Sequence, residues 1–290
     1  MRLRMVSWNV DSRPTGLLDA KVELLRQIRP DLAVLQEINR SVYRALLPHP
    51  LAHERIHRQS RVFSWGALST DLCYPRGSEH RLGCAVLGAP TTALLSAQVL
   101  ERVPFAVPEP IRLGFLWRTV AARVALATGM SLTAGSFHAR RSAGSQAIAL
   151  QRAFHAGIAG WLAGVSGPVV FGMSAGAPAV DPPDVRGSMS WSVASERATG
   201  ADPLLGPDAS HELDDVLRRY LHHHPEELER IRATRPGGPL AVSHHVSKQP
   251  VRHDHLWATR DLKVLDVRYL YEEAVAAGSD HALVLADFET

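Results

Sequence analysis

Only two cysteines, Cys73 and Cys84, occur in the 290-residue chain. Nothing else points to an oxidising compartment, so free thiols are expected rather than a disulfide framework. No run approaches the roughly 18 apolar residues that a membrane span requires. Met1-Arg2-Leu3-Arg4 leads straight into a strand-like segment with no apolar stretch of a secretory leader, and a cytoplasmic location is the expectation. There is no phosphate-cradling or dinucleotide glycine motif, no Cys pair and no His-Glu-x-x-His spacing, so neither nucleotide-loop chemistry nor a zinc centre is indicated. Internal repeats, low-complexity stretches and a Ser/Gly-rich linker are missing too, which favours one domain over residues 1–290.

What is present is a hydrophobic content of 46%, enough for a full core, with 21% charged and 6% aromatic residues. A formal net charge of +3 with 15 histidines and a pI near 9.1 favours an anionic or phosphate substrate. It falls short of the footprint of a dedicated nucleic-acid binder.

Hydrophobic periodicity predicts a βαβ opening. Leu3, Met5 and Val6 lie in a strand over 3–8. Leu18, Val22, Leu25 and Ile28 recur at helical spacing up to Pro30, and Asp31 to Gln36 returns to strand. Further strands are expected near 61–68, 84–87 and 93–99, with antiparallel pairing because little helical character separates the last two. A hairpin is expected over 117–126 and 131–137, turning at Gly129. A helix over 146–162 precedes a strand over 169–171. A long insert, about 177–251, carries a helix over 213–221 and another from Pro225, whose Glu226 and Glu227 suit a helix start. Strands over 253–258, 262–270 and 282–286 close the chain. The loop from Pro48 to Gly83 and the insert are expected to wall any cleft.

The polar residues at the ends of these runs carry the chemistry. Asn9 and Glu37 follow the first two strands, where open α/β sheets place ligands. A carboxylate and an amide oxygen make a hard-cation site, and magnesium needs few protein ligands because it keeps several waters. Asp280-His281 pairs an acid with an imidazole, and Asp254 is placed to fix the tautomer of a histidine. His253-Asp254-His255 is not expected to be a metal cluster, because neighbouring strand residues face opposite ways. His222-His223-His224 reads as a solvated turn. Gly172-Met173-Ser174-Ala175-Gly176 fits the pattern of a serine nucleophile elbow, but no helix pattern follows it.

In order along the chain, Ser7-Trp8-Asn9-Val10, Asp31-Leu32-Ala33-Val34-Leu35-Gln36-Glu37, Ser136-Phe137-His138, Val169-Val170-Phe171-Gly172, Arg252-His253-Asp254-His255-Leu256 and Gly278-Ser279-Asp280-His281-Ala282 resemble the endonuclease/exonuclease/phosphatase superfamily. The resemblance implies an α/β fold, a four-layer αββα sandwich of two packed mixed β-sheets with outer helices. It implies a metal-dependent phosphoesterase using Mg2+, with Mn2+ as the alternative, and nucleic acid as the foremost substrate. Glu37 would be the principal metal ligand, aided by Asn9 and Asp280. His281, oriented by Asp254, would stabilise or protonate the phosphoryl group, and His138 would bind phosphate or serve the leaving oxygen. Arg118 is a further candidate phosphate contact, fixed by no motif.

One departure is specific. Where the family carries Asp-x-Asn, this chain has Ser174-Ala175-Gly176, so a water-activating carboxylate and a phosphate-holding amide are both replaced. Asp181 and Asp184 follow, but a proline-rich segment separates them from the slot. The resemblance therefore implies an impaired enzyme, either naturally degenerate or inactivated, the paired loss favouring inactivation. The alternatives are a non-catalytic protein binding a phosphate ligand or partner, a phosphatase or phospholipase on a small or lipid phosphoester, and a serine hydrolase acting through Ser174. Oligomeric state leaves no mark in the sequence.

Overall fold

A computed structural model describes residues 1–12, 17–47, 62–69, 82–100, 117–139, 145–176 (backbone only at 145–149), 181–183, 203–205, 209 and 211–290. The elements run β1 (Arg2–Asn9), α1 (Leu18–Ile28), β2 (Leu32–Ile38), α2 (Arg40–Leu46), β3 (Trp65–Leu68), β4 (Gly83–Gly88), β5 (Thr92–Gln98), β6 (Thr119–Leu126) and β7 (Ser131–His138). They continue with α3 (Ser145–Leu162), β8 (Val169–Ser174), β9 (Asp214–Asp215), α4 (Val216–His223), α5 (Pro225–Thr234), β10 (His244–Val246) and β11 (Gln249–Val251). Last come β12 (Asp254–Ala258), β13 (Lys263–Leu270), α6 (Tyr271–Ala276) and β14 (Leu283–Glu289).

The strands form two six-stranded sheets, ordered β13-β14-β1-β2-β4-β3 and β5-β6-β7-β8-β12-β9. Each is mixed: β1–β2 and β7–β8 run parallel, and the other pairs are antiparallel. Three apolar layers hold the stack together. Between the sheets lie Leu3, Met5, Leu32, Val34, Leu132, Ala134, Val170 and Leu256. Val6, Trp8, Ala33 and Leu35 face outward against Val22 and Leu25 of α1 and Ala274 of α6. On the far side, Phe137, Phe171 and Met173 pack on Phe154 and Ile158 of α3. The result is the expected four-layer sandwich, its strands alternating faces with period two except where a bulge shifts the register, as on β2.

Local signals explain the boundaries. Helix α1 stops because Arg29 adopts a left-handed conformation (φ 53°) directly before Pro30, a residue whose ring disfavours helix in its predecessor. Gly129, at φ 84°, turns the β6–β7 hairpin as expected. The helix placed at 213–221 starts later: Asp214 and Asp215 pair with β12, and the Asp215 carboxylate accepts from the N–H groups of Leu217 and Arg218, beginning α4 at Val216. Short helices α2 and α6 and the β10–β11 hairpin were not indicated by periodicity. The expected surface loop over 48–61 and 70–81, and much of the insert, lie outside the described residues.

Along the interlayer face the chemistry changes from one end of the sandwich to the other. Leu3 and Met5 give way to Ser7 and Asn9, Val34 to Gln36, and Ala134 to Ser136 and His138. On β8 the same row passes from Val170 through Gly172 to Ser174. Gly172 sits where the two sheets approach each other closely. A Cβ there would lie 2.2 Å from Ser7 Oγ and 2.4 Å from Val34 Cγ2. Gly172→Ala is therefore expected to cost about 1–3 kcal/mol by overpacking, readable as a lower urea midpoint; an unchanged midpoint would show that the sheets can part at no cost.

Candidate active site

The polar end of the interlayer face opens into a cleft of about 290 Å³ lined by Asn9, Glu37, Arg118, His138, Ser174 and Gly176, with Ala139, His244, His253, Asp280 and His281 completing its wall. Strand register delivers much of this set. Ser174 is paired with His138 on one side and with Asp254 on the other. Asn9 stands beside Gln36 at the end of the parallel β1–β2 pair.

Glu37 does not follow the alternation. Leu35 and Ile38 both belong to the outer layer, and a regular strand would send one of the intervening residues the wrong way. The β2–β4 register shifts between Leu35 and Ile38, and Glu37 takes φ 50°. A bulge of this kind re-aims a side chain, here turning the carboxylate into the cleft. A left-handed glutamate is strained by about 1–2 kcal/mol, and such strain clusters at functional sites.

Asp254 lies behind the cleft wall, 1% exposed, with Oδ2 2.8 Å from His281 Nδ1. Burial opposes charge on His281, but Asp254, then Asp280 and Glu37, outweigh it and raise its pKa from an ordinary 6.5 to about 9. Burial likewise opposes ionisation of Asp254, yet His281 and the Ser243 hydroxyl hold its carboxyl below the usual range. Ser279 clamps this loop to β1: its hydroxyl donates to the Asn9 carbonyl (2.6 Å) and accepts from His281 N–H (3.1 Å).

Opposite, the Arg118 guanidinium lies 3.0 Å from His138 Nδ1. Arginine has only donors, so Nδ1 accepts, and a neutral ring then carries its proton on Nε2, 3.4 Å from Glu37 Oε1. The amide of Asn9 is likewise oriented. Its Oδ1 accepts from Asp11 N–H (3.2 Å), and its Nδ2 donates to Ser174 Oγ (3.4 Å). The amide oxygen keeps one lone pair for another partner.

All nine residues singled out from the sequence thus meet at one place, Asp254 in support and the rest on the cleft wall. His244 and His253 were missed as wall residues. His244 comes from β10, its Nδ1 2.9 Å from the Asp280 carbonyl and its ring stacked on His281 at 4.3 Å and 9°. No spacing announced it; only the fold brings β10 to this rim. His244, Asp280 and His281 have candidate ligand atoms within 4.8 Å of one another, but nearly parallel rings direct their in-plane lone pairs side by side rather than to one ion. The histidines flanking Asp254 part company, His253 to the cleft and His255 to within 3.7 Å of buried Asp215. His222 and His223 are exposed. Asp181 is buried between Arg218 and Arg252 and does not reach the cleft; Asp184 lies outside the described residues.

Asn9, Glu37 and Asp280 offer three oxygen donors, the hard set that suits Mg2+ or Mn2+, and the bulge at Glu37 adds a second carboxylate to that of Asp280. The residues present fit such an ion. A serine-hydrolase reading fares worse. Ser174 ends β8 in regular register between Asp254 and His138 rather than on a strained strand-to-helix turn.

No protein-family model matches the chain, and no curated protein matches it. Solved structures do. A humanized D. rerio TDP2 carrying 14 mutations superposes with a TM-score of 0.64 at 14% identity, covering 100% of this chain and 99% of that one. D. rerio TDP2 with a single-strand DNA product gives 0.62 at 14% identity and the same coverage. The human Nocturnin catalytic domain with bound sulfate gives 0.63 at 14% identity over 99% and 94%. An endonuclease/exonuclease/phosphatase from Bacteroides vulgatus gives 0.61 at 14% identity over 100% and 99%. The likeness establishes the fold: that of the endonuclease/exonuclease/phosphatase superfamily, as the ordered motifs implied.

Proposed function

We propose that the chain is a divalent-cation-dependent phosphoesterase, with nucleic-acid phosphodiesters as its best-supported substrate class, and that Ser174 and Gly176 keep its turnover low. The observation that carries this is the convergence of three oxygen donors, Asn9, Glu37 and Asp280, with the nitrogen groups of Arg118, His138 and His281 in one cleft. Nucleic acid is favoured by the basic pI and by the DNA product held by one structural neighbour. No helix among the described residues is long and apolar enough to cross a membrane.

Asn9, Glu37 and Asp280 would hold the cation, Mg2+ first and Mn2+ second. When bound, it would neutralise charge on phosphoryl oxygens and favour displacement at phosphorus. The chain's own residues do the rest by positioning and electrostatics. His281, anchored through Nδ1 to Asp254, turns Nε2 towards a non-bridging oxygen. Arg118 adds a permanent positive charge and sets the tautomer of His138. At position 174 a neutral hydroxyl stands where the family activates water with a carboxylate, and serine near neutral pH is no base. That gap also supports a second reading, a protein that binds a phosphate ligand without turning it over.

Glu37→Gly separates site from scaffold. Glycine relieves the left-handed strain but loses chain entropy, so stability should stay level or rise by up to about 1 kcal/mol. Calorimetric magnesium and manganese binding should disappear, together with any hydrolysis of an aryl phosphodiester or an oligonucleotide. Undiminished cation binding in Glu37→Gly would remove Glu37 from the site. Failure of the unaltered protein to bind either ion would sink the metal-dependent reading.

A further inference from the structure

The cleft mouth carries a feature that phosphoryl chemistry leaves unused. Strands β10 and β11 form a hairpin whose turn residues, Ser247 and Lys248, both have positive φ (49° and 70°), as a two-residue type I′ turn requires. So short a turn sets the register, His244 opposite Val251 and His245 opposite Pro250. Successive strand side chains face opposite ways. His244 turns into the cleft, and the exposed ring of His245 turns to Tyr271, the first residue of α6. Their ring centroids are 5.1 Å apart at 57°, and a hydrogen bond of 2.9 Å joins His245 Nδ1 to the Tyr271 hydroxyl. His244, the residue before His245, lines the cleft and stacks on His281 at 4.3 Å, which holds the pair beside the cleft wall.

We infer that His245 and Tyr271 form a stacking ledge for an unpaired base of a single-stranded nucleic acid whose backbone phosphate occupies the cleft; this rests on the phosphoesterase reading. Two rings fixed to each other by a hydrogen bond lose little freedom on binding, and any base offers them a π-face. A base inside a duplex already has both faces stacked, so the ledge selects single strands. Glu272 follows Tyr271 in α6 and Asp280 sits against His244, and their charge repels a second phosphate while tolerating a neutral base. A lipid chain would need aliphatic lining, whereas this pair is polar at its edges.

The test compares a fluorescent ten-residue oligothymidine with an abasic oligomer of the same length, by anisotropy with magnesium, oligomer integrity being checked on a gel. The unaltered protein should bind the oligothymidine about tenfold or more tightly than the abasic strand. His245→Ala and Tyr271→Ala should each erase most of that preference, while Tyr271→Phe, which keeps the ring, should retain it. Exposed His245 guards against a folding defect at Tyr271, and thermal melts monitor both. Equal affinity for the two oligomers, or equal weakening of both by the alanine variants, overturns the ledge and leaves the phosphoesterase reading intact. Absence of binding to either strand overturns the ledge and the nucleic-acid assignment together; hydrolysis of an aryl phosphodiester still tests the chemistry separately.

Discussion

Ser174→Asp combined with Gly176→Asn should raise magnesium-dependent phosphodiester hydrolysis by on the order of 10²–10³-fold, the scale of a single well-placed catalytic group. Position 174 is already central. Its backbone is in register with both His138 and Asp254, and its hydroxyl accepts from the Asn9 amide at 3.4 Å. A carboxylate can accept the same bond and add the base that serine cannot supply. Gly176 adopts φ 62°, a conformation that asparagine tolerates better than other side chains, so the amide can return without rebuilding the turn. The new aspartate would sit near Glu37 and Asp254, and without a cation that crowding of like charge costs stability. The double variant should therefore be less stable than the unaltered protein in EDTA and gain more from magnesium, by the linkage of folding to binding. Initial rates and melts with and without magnesium check both halves. If the rate does not rise while the melts show magnesium bound, Ser174 is not the deficit and the binding-only reading takes over.

Much of the scaffold could be read directly, because alternation on β1, β2, β7 and β8 is strong and the polar residues at the strand ends interrupt it visibly. Asn9, His138 and Ser174 share the interlayer parity of Met5, Ala134 and Val170, so a correct strand assignment already sends them to one rim. Glu37 was found by residue type and position, but its direction depends on a bulge that no glycine or proline announces. The His245–Tyr271 pair rests on contacts between a three-residue strand and a six-residue helix, and His244 on contacts between that strand and Asp280 and His281 beyond the helix, all segments too short to show a period. The start of α4 was misplaced for another reason. Leu213 continues the apolar pattern, but Asp215 is drawn out of the helix to act as its cap and to meet Arg252, a partner 37 residues away. Pairings of that range leave no trace in local sequence.

That partner sets the largest expected stability effect. The Arg252 side chain is wholly buried, with Nε 2.7 Å from Asp181 Oδ2 and Nη2 2.8 Å from Asp215 Oδ2; Arg218 also pairs with Asp181. Two arginines and two aspartates thus neutralise one another out of water. Burial raises the pKa of both acids, but Arg252 and Arg218 outweigh it at Asp181, and Arg252 with His255 outweighs it at Asp215, holding both below the ordinary carboxylate range. Their folded values lie below their unfolded ones, so the stabilisation is fully present above about pH 5, begins to fall as pH drops below about 4, and goes on falling until the pH reaches the folded values. Arg252→Met should cost about 3–5 kcal/mol at pH 7, because it strands a buried charge. Asp215 bears most of this, since Arg218 still faces Asp181. Removing the guanidinium also reverses the sign. Burial, the largest contribution, is then opposed only by His255 and the cap N–H groups of Leu217 and Arg218, so the Asp215 pKa should rise above its unfolded value and protonation should relieve the penalty. The gap between variant and unaltered protein should consequently narrow from pH 7 to pH 5, as measured by urea unfolding. The cleft should feel the same change. Arg252 immediately precedes His253 and Asp254, and Tyr269, whose hydroxyl lies 3.4 Å from Arg252 Nη1, donates to the Asp254 carbonyl at 2.9 Å. A variant equally destabilised at both pH values would mean that lost packing, rather than an uncompensated aspartate, is what Arg252 prevents.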